Sequence, residues 1–349
     1  MTLPNLATEK MIEFLCGLLN TPSPTGMADA GIAFTEQALA AVPGISMRRT
    51  RKGALVAVIP GQRSDAPRAL TAHCDTLGGM VKEIKPNGRL KLTQIGGFAW
   101  NTVENEGCTI FTASGKTVRG SLLVNTASAH VYRMAVTETK REDANMEVRL
   151  DARTTNAEET RALGIQVGDF VAFDPRVEVV NGFVRSRHLD DKACVACVVA
   201  AVQALADAGL KPVQTTYLHI SNYEEVGHGA SAGIPDEVTE LLTVDMAAVG
   251  DGQTSNEYQT SLCVKDSGGP YHHGLSNRLR QLADEHQIPY VVDVYPFYGS
   301  DGEAFWRAGG DVAVALIGPG VDASHGYERT HTDALEATAR WVMAYLLGE

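Results

Sequence analysis

The sequence predicts an α/β fold in which a mostly parallel mixed sheet is flanked by helices and interrupted by an inserted small β-barrel. Three observations lead there. From residue 181 onward, apolar strand-like runs alternate with helical runs, the rhythm of a parallel sheet with helices on both faces. Residues 1–76 share that character. Between them, residues 77–180 break into short alternating segments at close spacing, with only ETRALG reading as helical, which is the pattern of a small barrel or sandwich. The expected organisation is one α/β domain, 1–76 and 181–349, carrying a β insertion at 77–180.

Taken in order, residues 5–20 set Met11, Phe14, Leu15, Leu18 and Leu19 at helical spacing. TPSPTG at 21–26 is a loop with two prolines. A second amphipathic helix covers about 28–41, and 46–59 reads as a hairpin turning at Lys52-Gly53. Residues 69–73 form a short apolar strand ending in HCDTLGG. After the insertion come a helix at about 192–207, a strand at 216–221 and a strand at 241–247. A helix near 276–286, a strand at 290–295, the helix GEAFWRAG, the strand DVAVALIG and a C-terminal helix complete the chain.

The 349 residues are 44% hydrophobic and 21% charged, the balance of a soluble globular protein. A net charge of −12 with no basic run excludes nucleic acid and anionic membranes as partners. No apolar stretch approaches the roughly 20 residues that span a bilayer, and MTLPNLATEK does not read as a secretion signal. A cytoplasmic location is expected. The six cysteines are dispersed, as reduced buried thiols would be. Cys194 and Cys197, one turn apart in an apolar helical run, read as core rather than as a redox or zinc pair.

Five acidic or histidine-bearing sites recur where strands end, the edge at which open α/β sheets hold ligands. His73-Cys74-Asp75 offers a metal-binding ring and a carboxylate to orient it. His188-Leu189-Asp190-Asp191 precedes a helix, where one carboxylate can bridge two cations and the other can cap. Glu224-Glu225 closes an apolar strand. In an extended segment their side chains point to opposite sides, so one can hold a cation while the other serves as a base. Asp245 interrupts an apolar strand, where an unpartnered acid is rare. SHGYERTH supplies His325 and His331, one of them structural. The ordered set of His, Asp, Glu, Asp and His suits zinc, cobalt or manganese, and a bridging Asp fits two ions sharing a water. The residues Tyr298, Ser300 and Asp301 in YPFYGSDGE are candidates for the substrate pocket, with a helix cap at Ser300 as the plainer reading. His272-His273 reads as a solvated loop.

Over nearly its whole length the chain resembles the tetrahedral aminopeptidases, the glutamyl and leucyl aminopeptidases of metallopeptidase family 42. The TPSPTG loop, H-x-D at His73, the insertion opening with KEIKPNGRLKLTQIGG, L-D-D at Asp190, E-E-V-G, V-D-M at Asp245 and G-S-D at Ser300 carry the likeness. The resemblance implies metal ligands His73, Asp190 (bridging), Glu225, Asp245 and His325, with Glu224 as general base and Asp75 behind the ligands. It implies two divalent ions per subunit (zinc first, cobalt or manganese as alternatives), a short peptide or peptide-like substrate, and dimers built through the inserted barrel that assemble to a dodecamer. SHGYERTH departs from the family's His-Ser-Pro-like motif. It leaves His331 open as the last ligand, although spacing to the C-terminal helix favours His325. The same segment resembles a branch found beside genes for an N-acetylglutaminylglutamine amide osmoprotectant. Two other readings stand beside this one: a metal-dependent amidase or deacylase of N-acylated dipeptide-like molecules, and a non-enzymatic assembly protein with structural metals.

Overall fold

Side chains that alternate along the central strands bury two faces of one sheet. Ala69, Leu241, Val314 and Leu316 lie in one apolar cluster, against which Phe305 and Trp306 pack. Their immediate neighbours Leu70, Leu242, Ala315 and Ile317 lie in another, together with Val195, Val198, Trp341 and Val342 of two helices. A strand buried on both sides reads as a continuous apolar run, as these do. The computed structural model describes residues 2–349. It divides into two compact units, one running up to Asp75 and resuming with Arg176–Glu349, the other Thr76–Pro175.

In the larger unit a ten-stranded sheet has four parallel strands at its centre. They are Gln214–Ser221, Arg63–His73, Glu240–Val244 and Ala313–Val321, in that spatial order. Ser221 lies opposite His73 and Val244 opposite Ile317, so three strands end close to one edge while Ala313–Val321 runs on past it. The loops leaving these strands therefore begin on the same side of the sheet. Antiparallel strands extend the sheet on both sides: the hairpin Ser46–Arg49 and Leu55–Ile59 on one, Thr260–Asp266 on the other.

Strand 241–247 of the sequence reading is interrupted. Glu240–Val244 ends one residue before Asp245, and Ala247–Ala248 pairs again with the end of Ala313–Val321. Gly318 permits this close passage, since a Cβ there would sit 1.8 Å from the Asp245 carbonyl oxygen. The loop expected at His272-His273 is a helix start. The helix His273–Glu285 is capped by the His272 ring, whose Nδ1 accepts the Leu275 N–H at 3.1 Å.

The smaller unit is a closed six-stranded barrel. Val81, Leu92, Ile110, Leu122, Val148 and Val171 fill its interior, one or two from each strand. Short helical turns at Ala129–Tyr132 and Ala135–Glu138 accompany Ala157–Ala162, and only the last was legible in the sequence. The unit ends at Pro175 rather than 180. Glu178–Val180 pairs with Phe183–Ser186, which pairs in turn with Glu328–His331 of the larger unit.

From 193 to 202 the helix Leu189–Asp207 is apolar on every face because it is buried on every face. Cys194 and Cys197 are free thiols in that core. Lys192, at its start, is also fully buried, and its ammonium donates to the carbonyls of Leu18 (3.0 Å) and Thr21 (2.7 Å) at the end of the first helix. Burial lowers its pKa to about 8, with the charge of Cys74 opposing. Between about 8 and the ordinary 10.5, the unfolded chain holds this proton and the folded chain does not, so folding gains stability as pH rises through that window. Denaturant unfolding of wild type and Lys192→Met should show a difference that shifts toward wild type from pH 8 to pH 10. A pH-independent difference would mean that Lys192 stays charged in the fold.

Candidate metal centre

Each of the four parallel strands delivers an acid or an imidazole at its C-terminal end, and the start of the helix Leu189–Asp207 adds Asp190 between them. His73, Asp190 and Asp245 are all buried, and each offers a ligand atom within 4.8 Å of the others. His73 Nε2 lies 3.0 Å from Asp190 Oδ1, and His325 Nε2 lies 3.3 Å from Asp190 Oδ2. One carboxylate thus presents each oxygen to a different ring. Glu225 joins the second side, its Oε2 3.6 Å from His325 Nε2, and Glu224 flanks the first, its Oε2 3.7 Å from His73 Nε2.

The two glutamates do not sit in an extended segment. They open a 3-10 turn, Glu224–Val226, preceded by Tyr223 at φ +77°. Successive side chains of such a turn are about 120° apart, which still sends Glu224 and Glu225 to different histidines. Asp75 holds that turn, accepting the backbone N–H groups of Glu224 (3.2 Å) and Glu225 (3.4 Å) and the Thr25 hydroxyl (2.7 Å). It does not orient the His73 ring through its carboxylate, as the H-x-D spacing suggested. The ring Nδ1 lies 3.0 Å from the Asp75 backbone carbonyl, which can only accept, so Nδ1 carries the proton and Nε2 faces Asp190. Asp191 does not cap its helix in the expected way either. Its Oδ2 accepts the His73 backbone N–H at 3.2 Å.

His331 lies apart from this cluster. It caps the helix Thr332–Leu347 by accepting the Asp333 N–H at 3.2 Å, and its ring meets Phe183 edge-on. Of the pocket candidates, Tyr298 and Ser300 line a cleft of about 400 Å³ shared with Asp190, Glu224, Glu225, Asp245 and His325. Tyr298 donates to the Met246 carbonyl at 2.8 Å, and the Ser300 hydroxyl pairs with Tyr271 Oη rather than capping its helix. Asp301 does not line the cleft. Its carboxylate is buried and accepts from the Ser221 hydroxyl and from the Ala230 N–H (2.7 Å), tying the loop behind Glu224 to the sheet. Sequence reasoning missed Glu303 and Arg307 on the cleft wall, paired at 2.8 Å, and Glu328 behind the centre. Glu303 and Arg307 stand four apart on the helix that G-S-D opens, a spacing that could have drawn them in.

The electrostatics are those of a site built for cations. Burial raises Asp245 to about 7, and the charge of Asp190 adds to the effect. Burial likewise pushes Glu224 and Glu225 well above the ordinary carboxylate value. For Asp190 burial works in the same direction, but hydrogen bonds from His325 and His73 outweigh it and hold the group below its ordinary value. Two imidazoles and three carboxylates converging in a buried place need positive charge between them. Two donors each about 2.1 Å from a tetrahedral zinc are roughly 3.4 Å apart, close to the separations of 3.0–3.6 Å among His73, Asp190, His325 and Glu225. The donor set fits divalent metal, with His73, Asp190 and Asp245 as its buried core.

Residues 53–341 match the family model described as M42 glutamyl aminopeptidase. A Bacillus subtilis (strain 168) protein provisionally named aminopeptidase YhfE is 47% identical over 341 residues, spanning 97% of this chain and 98% of its own. Among solved structures, the TET aminopeptidase of the marine sediment archaeon Thaumarchaeota archaeon SCGC AB-539-E09 superposes with a TM-score of 0.87 at 18% identity, covering 97% of this chain and 96% of that one. The Pyrococcus horikoshii TET1 peptidase, described as assembling into a tetrahedron or a large octahedral shell, gives 0.83 at 19% identity over 97% and 100%. Among the described residues no helix is long and apolar enough to cross a membrane.

The raised acids set the pH response of the metal-stripped protein. Between the unfolded carboxylate value, about 4, and the folded value of Asp245, about 7, the fold holds a proton that the unfolded chain has released. Stability is therefore lost as pH rises through 7. Chelator-treated protein should melt at a lower temperature at pH 8 than at pH 6, and added zinc should remove most of that difference. Equal melting temperatures at both pH values would mean that these acids are not mutually strained.

Proposed function

The chain belongs to the M42 glutamyl aminopeptidase family, and from that premise we propose that it is a dinuclear metal aminopeptidase removing N-terminal residues from short peptides. The observation that carries this reading is Asp190, whose two oxygens reach different histidines. His73, Asp245 and Asp190 Oδ1 would hold one divalent ion, and His325, Glu225 and Asp190 Oδ2 the other. Zinc ranks first, with cobalt or manganese as alternatives. Two such ions, when bound, bring the pKa of a water toward neutrality and polarise the scissile carbonyl.

The protein's own part in the reaction falls to Glu224. Its carboxylate is half-buried at the cleft beside His73 and is not needed as a ligand. It takes the proton of the attacking water and returns it to the leaving nitrogen. Burial raises its affinity for that proton, Asp245, Asp301 and Glu225 add to the effect, and His73 opposes it. Asp75 fixes its backbone and so its aim. Tyr298 and Ser300 shape a cleft within the size range of small-ligand pockets. By analogy with the TET1 peptidase we infer a homo-oligomer. Val131, Tyr132 and Met134, exposed on the helical turns of the barrel unit, supply apolar surface for it.

Glu224→Gln should keep both ions and the fold while kcat falls by about 10²–10⁴; a variant that turns over like wild type removes Glu224 as the base. Asp190→Ala should lose both ions, measured as metal per chain, and retention of two would exclude bridging. Amino-acid p-nitroanilides assayed beside N-acetylated dipeptides test the substrate class. SHGYERTH is the reason to include N-acetylated dipeptide amides, and cleavage of acylated substrates alone would replace the aminopeptidase reading with a deacylase.

A further inference from the structure

We propose that Glu328 is the positioning residue that locks the two ligand-bearing segments of the centre together. This rests on the two-ion reading above. Glu328 begins the strand Glu328–His331 and is only 1% exposed. One of its carboxylate oxygens accepts the His325 backbone N–H at 2.9 Å, and the other accepts the Asp190 backbone N–H at 3.1 Å. It is not among the residues lining the cleft. A single buried side chain therefore joins the bridging acid to the last histidine, which come from distant parts of the chain.

Neither segment holds its shape by local preference. His325 has φ +61° and Ala323 φ +58°, and His188, two residues before Asp190, has φ +71°. These are left-handed conformations that residues other than glycine adopt at a cost, so the surroundings must impose them. Arg187 helps from the same side, its Nη1 donating to the Gly326 carbonyl at 3.2 Å. Two N–H groups on separate segments, one buried and one half-buried, call for two acceptor oxygens on one side chain, which a carboxylate has and an amide lacks. Partners of this kind, lying behind metal ligands, typically govern metal affinity.

The test compares metal-stripped wild type, Glu328→Gln and Glu328→Asp. The Gln variant turns an NH₂ toward one of the two N–H groups; the Asp variant keeps the charge but is too short to reach both. Cobalt titration, followed by visible absorption and by ions bound per chain, reads the centre without catalysis, and circular dichroism checks the fold. In folded variants the ion at His325, Glu225 and Asp190 should bind roughly 10–100-fold less tightly, with an altered cobalt spectrum. The other ion should change less, because only Asp190 is common to both. Either variant folding with wild-type affinity and spectrum overturns the proposal. Should Glu328→Gln not fold, Glu328→Asp alone decides. Wild type that binds fewer than two ions would overturn the two-ion reading itself, a failure visible before any variant is made.

Discussion

One buried carboxylate, shared between two imidazoles, is the constraint from which the rest of the centre follows. Asp190 places Oδ1 3.0 Å from His73 and Oδ2 3.3 Å from His325. Glu224, Glu225 and Asp245 crowd around it, so each acid raises the proton affinity of its neighbours. Such an array is tolerable only when cations or protons occupy it. The fold must hold it against that repulsion, and it does so by placing the ligands where backbone geometry is already decided.

That decision is made by the sheet. Four parallel strands in register start four loops on the same side of the sheet, and each loop carries a donor toward the same space. The loops are then tied by carboxylates that touch backbone rather than ligand side chains. Asp75 accepts from the N–H groups of Glu224 and Glu225, Asp191 from His73, and Glu328 from Asp190 and His325. A buried carboxylate accepting backbone N–H groups satisfies donors that the loops would otherwise leave orphaned. The same bonds remove freedom from segments with no regular structure of their own.

The sequence disclosed the side chains of the cluster better than their supports. His73, Asp190, Glu224, Glu225 and Asp245 were visible because each breaks an apolar run or follows one, and an ionisable group there demands a partner. The barrel was visible because its short strands alternate and are separated by turn residues at close spacing. What stayed hidden depends on contacts between distant segments. Glu328 lies three residues beyond His325 in a polar stretch where an acid is ordinary, and its burial comes from strands that pair only in the folded chain. Asp301 was read toward the cleft because a G-S-D turn could face either way, and only the close approach of Ser221 and Ala230 turns it inward. Spacing to the C-terminal helix favoured His325 but left His331 open, because a histidine before a helix can cap as readily as it can ligate.

The start of the helix Leu189–Asp207 shows why the site and the core cannot be separated. Asp190, Asp191 and Lys192 are three consecutive ionisable residues, all buried. The first faces both histidines, the second accepts from the His73 backbone, and the third donates to carbonyls at the end of the first helix. The positive end of the helix dipole favours the two acids and leaves the lysine to be accommodated by the carbonyls of Leu18 and Thr21. Immediately beyond, the residues 193–202 are all apolar and divide between the main cluster and a second one around Met11 and Leu15. A shift of this helix that improved its packing would move Asp190 away from one histidine or the other. Repacking of the core and loss of bridging geometry are therefore the same displacement. Val195 and Val198 lie in the main cluster, so their packing bears on the position of the helix that carries Asp190.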